Sequence, residues 1–81
     1  LQPDYAPAQH ALGAAVQQQG RLQEALSYYR KAISLDPELV DAHYFLANAL
    51  RENGQLDEAV AAYRRVLQLN PDHFECLNNL G

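Results

Sequence analysis

The chain repeats itself. Shifted by 34 residues, stretch 6–39 falls on stretch 40–73 without a gap. The identical pairs are Ala8/Ala42, Leu12/Leu46, Ala15/Ala49, Gly20/Gly54, Leu22/Leu56, Glu24/Glu58, Ala25/Ala59, Tyr29/Tyr63, Arg30/Arg64, Leu35/Leu69 and Pro37/Pro71, which makes 11 of 34 places. Others are conservative swaps, such as Val16/Leu50 and Ile33/Leu67. A unit of this size cannot bury its own apolar face, so it must stack on its neighbours, and such a period predicts a solenoid rather than a closed globule. The phase runs outward as well. Leu1-Gln2-Pro3-Asp4-Tyr5 has the form of Leu35-Asp36-Pro37-Glu38-Leu39, and residues 74–81 restart the unit. The expected division is 1–5 as the end of a preceding repeat, 6–39 and 40–73 as repeats, and 74–81 as the start of a truncated one. The sequence opens on Leu1 and contains no methionine, which reads as a piece of a longer protein.

Within a unit the apolar period is helical. Leu56, Ala59, Val60, Tyr63, Val66 and Leu67 recur at steps of three and four, as do Leu22, Ala25, Leu26, Tyr29, Ala32 and Ile33. Each set forms one stripe on a helix. A looser stripe marks the first helix of each unit: Ala8, Leu12, Ala15 and Val16, then Ala42, Leu46, Ala49 and Leu50. Gly20 and Gly54 are placed to end these first helices in the left-handed conformation. Pro37 and Pro71 follow the second helices, which proline cannot continue. Glu24, Asp57 and Glu58 suit the positive start of the second helices, and Arg30, Lys31, Arg64 and Arg65 are expected near their negative ends. The predicted fold is all-α, built from helix–turn–helix units.

The residues Leu12-Gly13, Ala25-x3-Tyr29 and Pro37, then Leu46-Ala47, Ala59-x3-Tyr63 and Pro71, then Leu80-Gly81, resemble the tetratricopeptide repeat (TPR). Gln9, His43 and Leu77 stand where that family usually has tryptophan, and Val16 and Leu50 where it has tyrosine. The resemblance covers the whole chain. It implies a right-handed α-α superhelix whose first helices line a groove for an extended peptide or a partner helix. Ala25 and Ala59 would sit where paired helices cross closely, and Tyr29 and Tyr63 would fill the space between units.

Removing the packing stripe from each first helix leaves the groove face. It holds His10, Ala11, Ala14, Gln17 and Gln18 in the first unit, and Asp41, Tyr44, Phe45, Asn48, Arg51 and Glu52 in the second. Glu75, Asn78 and Asn79 belong to the partial one. His43, Tyr44 and Phe45 are consecutive, and one helix cannot bury all three on one stripe, so part of this surface must face the groove as a recognition anchor. The resemblance implies that Asn48 and Asn79 bond the backbone of a bound peptide, since an amide offers both donors and an acceptor. Tyr44 and Glu75 replace the lysines that a chaperone-tail clamp needs, which disfavours that partner. The expected partner-binding residues are Tyr44, Phe45, Asn48, Asn79, Arg51, His10 and Gln17. Asp41, Glu52 and Glu75 against Arg51 lean acidic, which favours a neutral or basic ligand segment.

Composition narrows the alternatives. Ten Asp and Glu against six Lys and Arg give a net charge of −4, a poor balance for nucleic acid or an anionic membrane. The apolar runs fall well short of the roughly 18 residues that span a bilayer. Cys76 is alone, so no internal disulfide is possible, which fits a reducing, cytoplasmic setting. His10, His43 and His73 occupy non-equivalent places in their units, and Cys76 has no basic neighbour to lower its pKa. No catalytic set, metal or cofactor is expected, and the chain reads as a non-enzymatic scaffold. Two other readings are kept: a self-assembling segment stacking end to end through uncapped repeats, and a non-catalytic arm of a larger enzyme such as a glycosyltransferase.

Overall fold

The computed structural model describes residues 5–80, without the Leu80 side chain. Leu1-Gln2-Pro3-Asp4 and the Gly81 of the last Leu-Gly pair lie outside the described residues. Five helices occupy the described chain: α1 (Ala6–Gln18), α2 (Leu22–Leu35), α3 (Val40–Glu52), α4 (Leu56–Leu69) and α5 (Phe74–Leu80). They form a right-handed α-α solenoid in which α1 packs on α2, α3 on α4, α2 on α3, and α4 on α5. The inner helices α1 and α3 also touch, and the whole measures 36 × 24 × 17 Å.

The two glycines do what their places require. Gly20 has φ +82° and Gly54 φ +79°, a backbone region that side-chain-bearing residues seldom enter. The Arg21 N–H reaches the Val16 carbonyl at 3.0 Å and the Gly20 N–H reaches Gln17 at 3.0 Å. Around Gly54 the pair repeats: Gln55 to Leu50 at 2.9 Å and Gly54 to Arg51 at 3.0 Å. These are the crossed bonds of a Schellman ending, and they satisfy carbonyls the helix leaves open. The second helices end differently. Asp36 and Asn70 are extended at φ −142° and −144°, as residues before proline tend to be. Their side-chain oxygens accept the N–H of Glu38 at 3.1 Å and of Asp72 at 3.3 Å, closing a tight turn.

The core runs between the layers and gathers Ala25, Leu26, Tyr29, Ala47, Ala49, Leu50, Ala59, Tyr63, Val66 and Cys76. Leu26, 2% exposed, contributes about 1.5–3 kcal/mol by burial. Ala25 and Ala59 are buried, so their small side chains allow the close helix approach read from the sequence.

Three expectations are corrected. The α1 stripe is not a buried one: Leu12 is 45% exposed, Ala15 is exposed, and α1 buries Ala6 and Gly13 instead. Its α3 copies Ala42, Ala49 and Leu50 are buried, because α3 lies between α2 and α4, whereas among the described residues no helix covers the matching face of α1. Leu56 is 60% exposed, since it opens α4 at the edge of the packing. Arg30, Lys31, Arg64 and Arg65 precede the last turns of α2 and α4, which hold no basic residue. Arg30 instead lies 3.6 Å from Glu58 across the units, a solvated pair worth about 0–1 kcal/mol.

Candidate binding groove

Of three consecutive rings on α3, one turns inward. His43 is buried, with Nε2 2.8 Å from the Pro37 carbonyl, tying α3 to the turn after α2. Tyr44 and Phe45 are left half-buried on the inner side. There they join a row of rings that crosses the molecule. The His10 ring meets the edge of Phe45 at 4.6 Å between centroids, Phe45 lies 6.0 Å from Tyr44, and Tyr44 lies 4.6 Å from His73. Tyr29 backs Phe45 at 6.0 Å, and Tyr63 backs Tyr44 at 6.3 Å. Such edge and offset contacts add about 0.5–1.5 kcal/mol each beyond burial.

Beside this row, at the C-terminal halves of α1 and α3, opens a cavity of about 420 Å³ lined by Ala14, Gln17, Gln18, Phe45, Asn48, Arg51 and Glu52. Residues 48, 51 and 52 stand three and four positions apart, so helix geometry puts them on one face. Ala14 is the repeat copy of Asn48, and its short side chain leaves the opposite wall low.

The polar side chains around the cavity are largely wired to each other. The Tyr29 hydroxyl donates to Gln17 Oε1 at 2.6 Å, and Gln17 Nε2 donates to Glu52 Oε1 at 3.0 Å. In the second unit the Tyr63 hydroxyl donates to Asn48 Oδ1. That same oxygen accepts Asn79 Nδ2 at 3.2 Å, which also reaches the Tyr44 hydroxyl at 3.0 Å. Asn48 and Asn79 therefore bridge α3, α4 and α5, with their contact atoms engaged inside the chain.

Burial sets the titration of this region. Desolvation, and then the Glu52 charge, push Tyr29 up to about 12. Desolvation also raises Tyr63, opposed by Arg51. His10 is held below its usual range by burial, with Asp41 pulling the other way, and its Nε2 is buried without a hydrogen-bond partner. The Cys76 thiol donates to the Tyr63 carbonyl at 3.2 Å, and burial pushes its pKa up.

Phe45, Asn48, Arg51 and Gln17 thus line one cavity, Tyr44 and Asn79 adjoin it through the amide network, and His10 lies behind Phe45. Sequence reasoning assigned no role to His73. It packs on Tyr44, and its Nδ1 accepts the Cys76 N–H at 3.1 Å, capping α5 one residue before the helix begins. Its place just before α5 was the available signal. Among the described residues no group of three His, Cys, Asp or Glu is placed to hold a metal ion, and no helix is long and apolar enough to cross a membrane.

The family model for the tetratricopeptide repeat matches residues 16–80. None of the curated proteins matches the chain. Among solved structures the chain is similar to MamA, at TM-score 0.95 and 26% identity over 99% of this chain. It is also similar to an O-GlcNAc transferase mutant of Thermobaculum terrenum, at TM-score 0.91 and 32% identity over 96% of this chain. A third is the first TPR of Spaghetti (RPAP3) bound to the HSP90 peptide SRMEEVD, at 0.93 and 27% over 96%. The chain spans 47% of the MamA chain, 15% of the transferase and 62% of the RPAP3 chain.

Proposed function

The chain belongs to the tetratricopeptide repeat family, and from that premise we propose that it is a non-catalytic scaffold whose units, 6–39 and 40–73, hold a peptide or partner-protein segment in the groove between α1 and α3. The observation that carries this is the 420 Å³ cavity, lined by Phe45, Gln17, Asn48 and Arg51 and continuous with the ring row. Its lining is mostly polar, with Phe45 and Ala14 as the apolar contacts, and convergent polar groups in a concave site are what fix a ligand's orientation. The RPAP3 repeat, solved with a peptide bound, supports the same use of this architecture. Tyr44, Asn79 and His10 then act mainly by fixing the shape of the groove, while Phe45, Gln17, Asn48 and Arg51 meet the ligand.

The likeness to a transferase supports the second reading, a repeat arm of a larger enzyme, in which the same groove would present a segment to a domain elsewhere. Both readings put the ligand in the cavity, so one experiment tests them. Peptides are selected from a displayed random library on the wild type and rebound to Ala14→Trp, whose indole fills the cavity from the low wall. Clones should lose the variant while its helical circular dichroism stays unchanged. Equal capture by a folded Ala14→Trp would place the ligand elsewhere.

A further inference from the structure

Of the asparagines in the chain, only Asn53 is followed by glycine. That pair carries a chemistry of its own. The Gly54 nitrogen, once it has lost its proton, can attack the Asn53 side-chain carbonyl carbon. The new C–N bond closes a succinimide ring, and the amide nitrogen leaves as ammonia. Water then opens the ring at one of its two carbonyls, leaving either aspartate or β-linked isoaspartate. Glycine has no Cβ to block the attack. Asn70 cannot react in this way, because Pro71 has no N–H. The copy of Asn53 in the first unit is Gln19, whose longer side chain would have to close a larger ring.

The structure keeps the two reacting groups apart. The Gly54 N–H donates to the Arg51 carbonyl at 3.0 Å. Asn53 has ψ 3°, whereas ring closure needs its Cβ and the Gly54 nitrogen nearly eclipsed about the Cα–C bond. The side chain is held at both ends. Its Oδ1 accepts Gln23 Nε2 from α2 at 3.0 Å, and its Nδ2 donates to Gln55 Oε1 at 2.6 Å. Gln55 Nε2 donates in turn to Glu58 at 2.8 Å, and Glu58 lies 3.6 Å from Arg30, back on α2. A chain of polar contacts thus leaves α2, passes through the turn between α3 and α4, and returns to α2. Asn53 is its link at the joint between the two units.

We propose that Asn53 is a modification site that converts to aspartate or isoaspartate when this joint opens. Opening releases the Gly54 N–H and the Asn53 amide together, so the rate follows the population of the open state. The product then weakens what guarded it. Aspartate still accepts from Gln23 but has no donor for Gln55. It also adds a negative charge at the C-terminal end of α3, where the helix dipole disfavours it, between Glu52 and Glu58. Isoaspartate lengthens the backbone inside the turn, so the crossed bonds around Gly54 no longer fit.

Peptide-mapping mass spectrometry tests this by following Asn53 during incubation in mildly alkaline buffer, with the chain folded and in denaturing urea. The unfolded chain should convert at least about tenfold faster, since folding closes the joint most of the time. Gln23 is exposed and Gln55 half-buried, so Gln23→Ala and Gln55→Ala each cut the polar chain without touching the core. Both should speed conversion of the folded chain severalfold. Gln19→Asn puts the same pair at the matching turn of the first unit, where Gln19 meets only Arg21 among the described residues. That pair should convert faster than Asn53 in the same folded molecule. Equal rates in the folded and unfolded chains would overturn the proposal. So would wild-type rates in both alanine variants, or a Gln19→Asn pair that converts no faster than Asn53.

Discussion

The two complete units share one frame and differ in how they are wired. Each buries a tyrosine against its first helix, Tyr29 at 0% and Tyr63 at 2% exposure. Tyr29 sends its hydroxyl to Gln17, because the residue one turn earlier is Ala14, which has nothing to accept it. Tyr63 finds Asn48 at that earlier place. The first unit then reaches forward to α3 through Gln17 and Glu52, the second to α5 through Asn48 and Asn79. The repeated residues build the scaffold, and the unrepeated ones, at the same depth, decide where the groove is open.

The largest effect should come from removing either ring. Tyr29→Ala and Tyr63→Ala should each cost about 3–5 kcal/mol in urea unfolding, as aromatic truncations in cores do. Similar losses would confirm a shared frame, and a loss below 1 kcal/mol at either site would break it. The closeness of the helices differs next. A methyl on Gly13 would meet the Tyr29 ring at 2.6 and 2.8 Å, whereas its copy Ala47 is accommodated beside Tyr63. Gly13→Ala should therefore destabilise, overpacking by about 1–3 kcal/mol outweighing about 1 kcal/mol of helix propensity. Ala59→Leu should overpack by a similar amount. A stabilised Gly13→Ala would show that the first unit is no tighter than the second.

Hydroxyl removal is a finer probe. Tyr63→Phe should cost about 0.5–1.5 kcal/mol and broaden the Asn79 side-chain amide signals by NMR. Tyr29→Phe should cost less, because Gln17 can turn to water. The reverse order would refute the proposed wiring. The two units should also respond unequally to acid. Folded His10 has a pKa below the ordinary 6.5, so the unfolded chain takes up its proton first as pH falls. That part of stability is present above about pH 6.5 and is lost as pH drops through the folded pKa. His10→Phe should flatten that slope, as read from urea midpoints between pH 8 and 5. An unchanged slope would free His10 of its buried place. The smallest effect is Arg30→Gln, no more than about 1 kcal/mol, since the Arg30–Glu58 pair is half-exposed.

The sequence made the frame legible because its signals are local and doubled. Gly20 and Gly54 repeat, Pro37 and Pro71 repeat, and the α2 and α4 stripes follow one period. The face of α1 was misread because its copies in α3 are covered by α2, a neighbour that α1's matching face lacks among the described residues. The groove was half-legible. Phe45, Asn48, Arg51 and Gln17 are outward positions on a helical wheel, but their bonding depends on side chains 31 to 35 residues away. No local pattern states that Asn48 spends its oxygen on Tyr63 and Asn79, or that His43 turns to Pro37 and leaves Tyr44 and Phe45 for the groove.

The central claim is that the opening between α1 and α3 is the holding surface. Backbone amide shifts of the 15N-labelled chain, titrated with a peptide selected on it, test this most directly. The account predicts that the moving signals gather at Ala14, Gln17, Gln18, Phe45, Asn48 and Arg51, with those of Lys31 and Arg65 on the outer helices still. Shifts gathered on the outer faces of α2 and α4, with the groove unmoved, would contradict it.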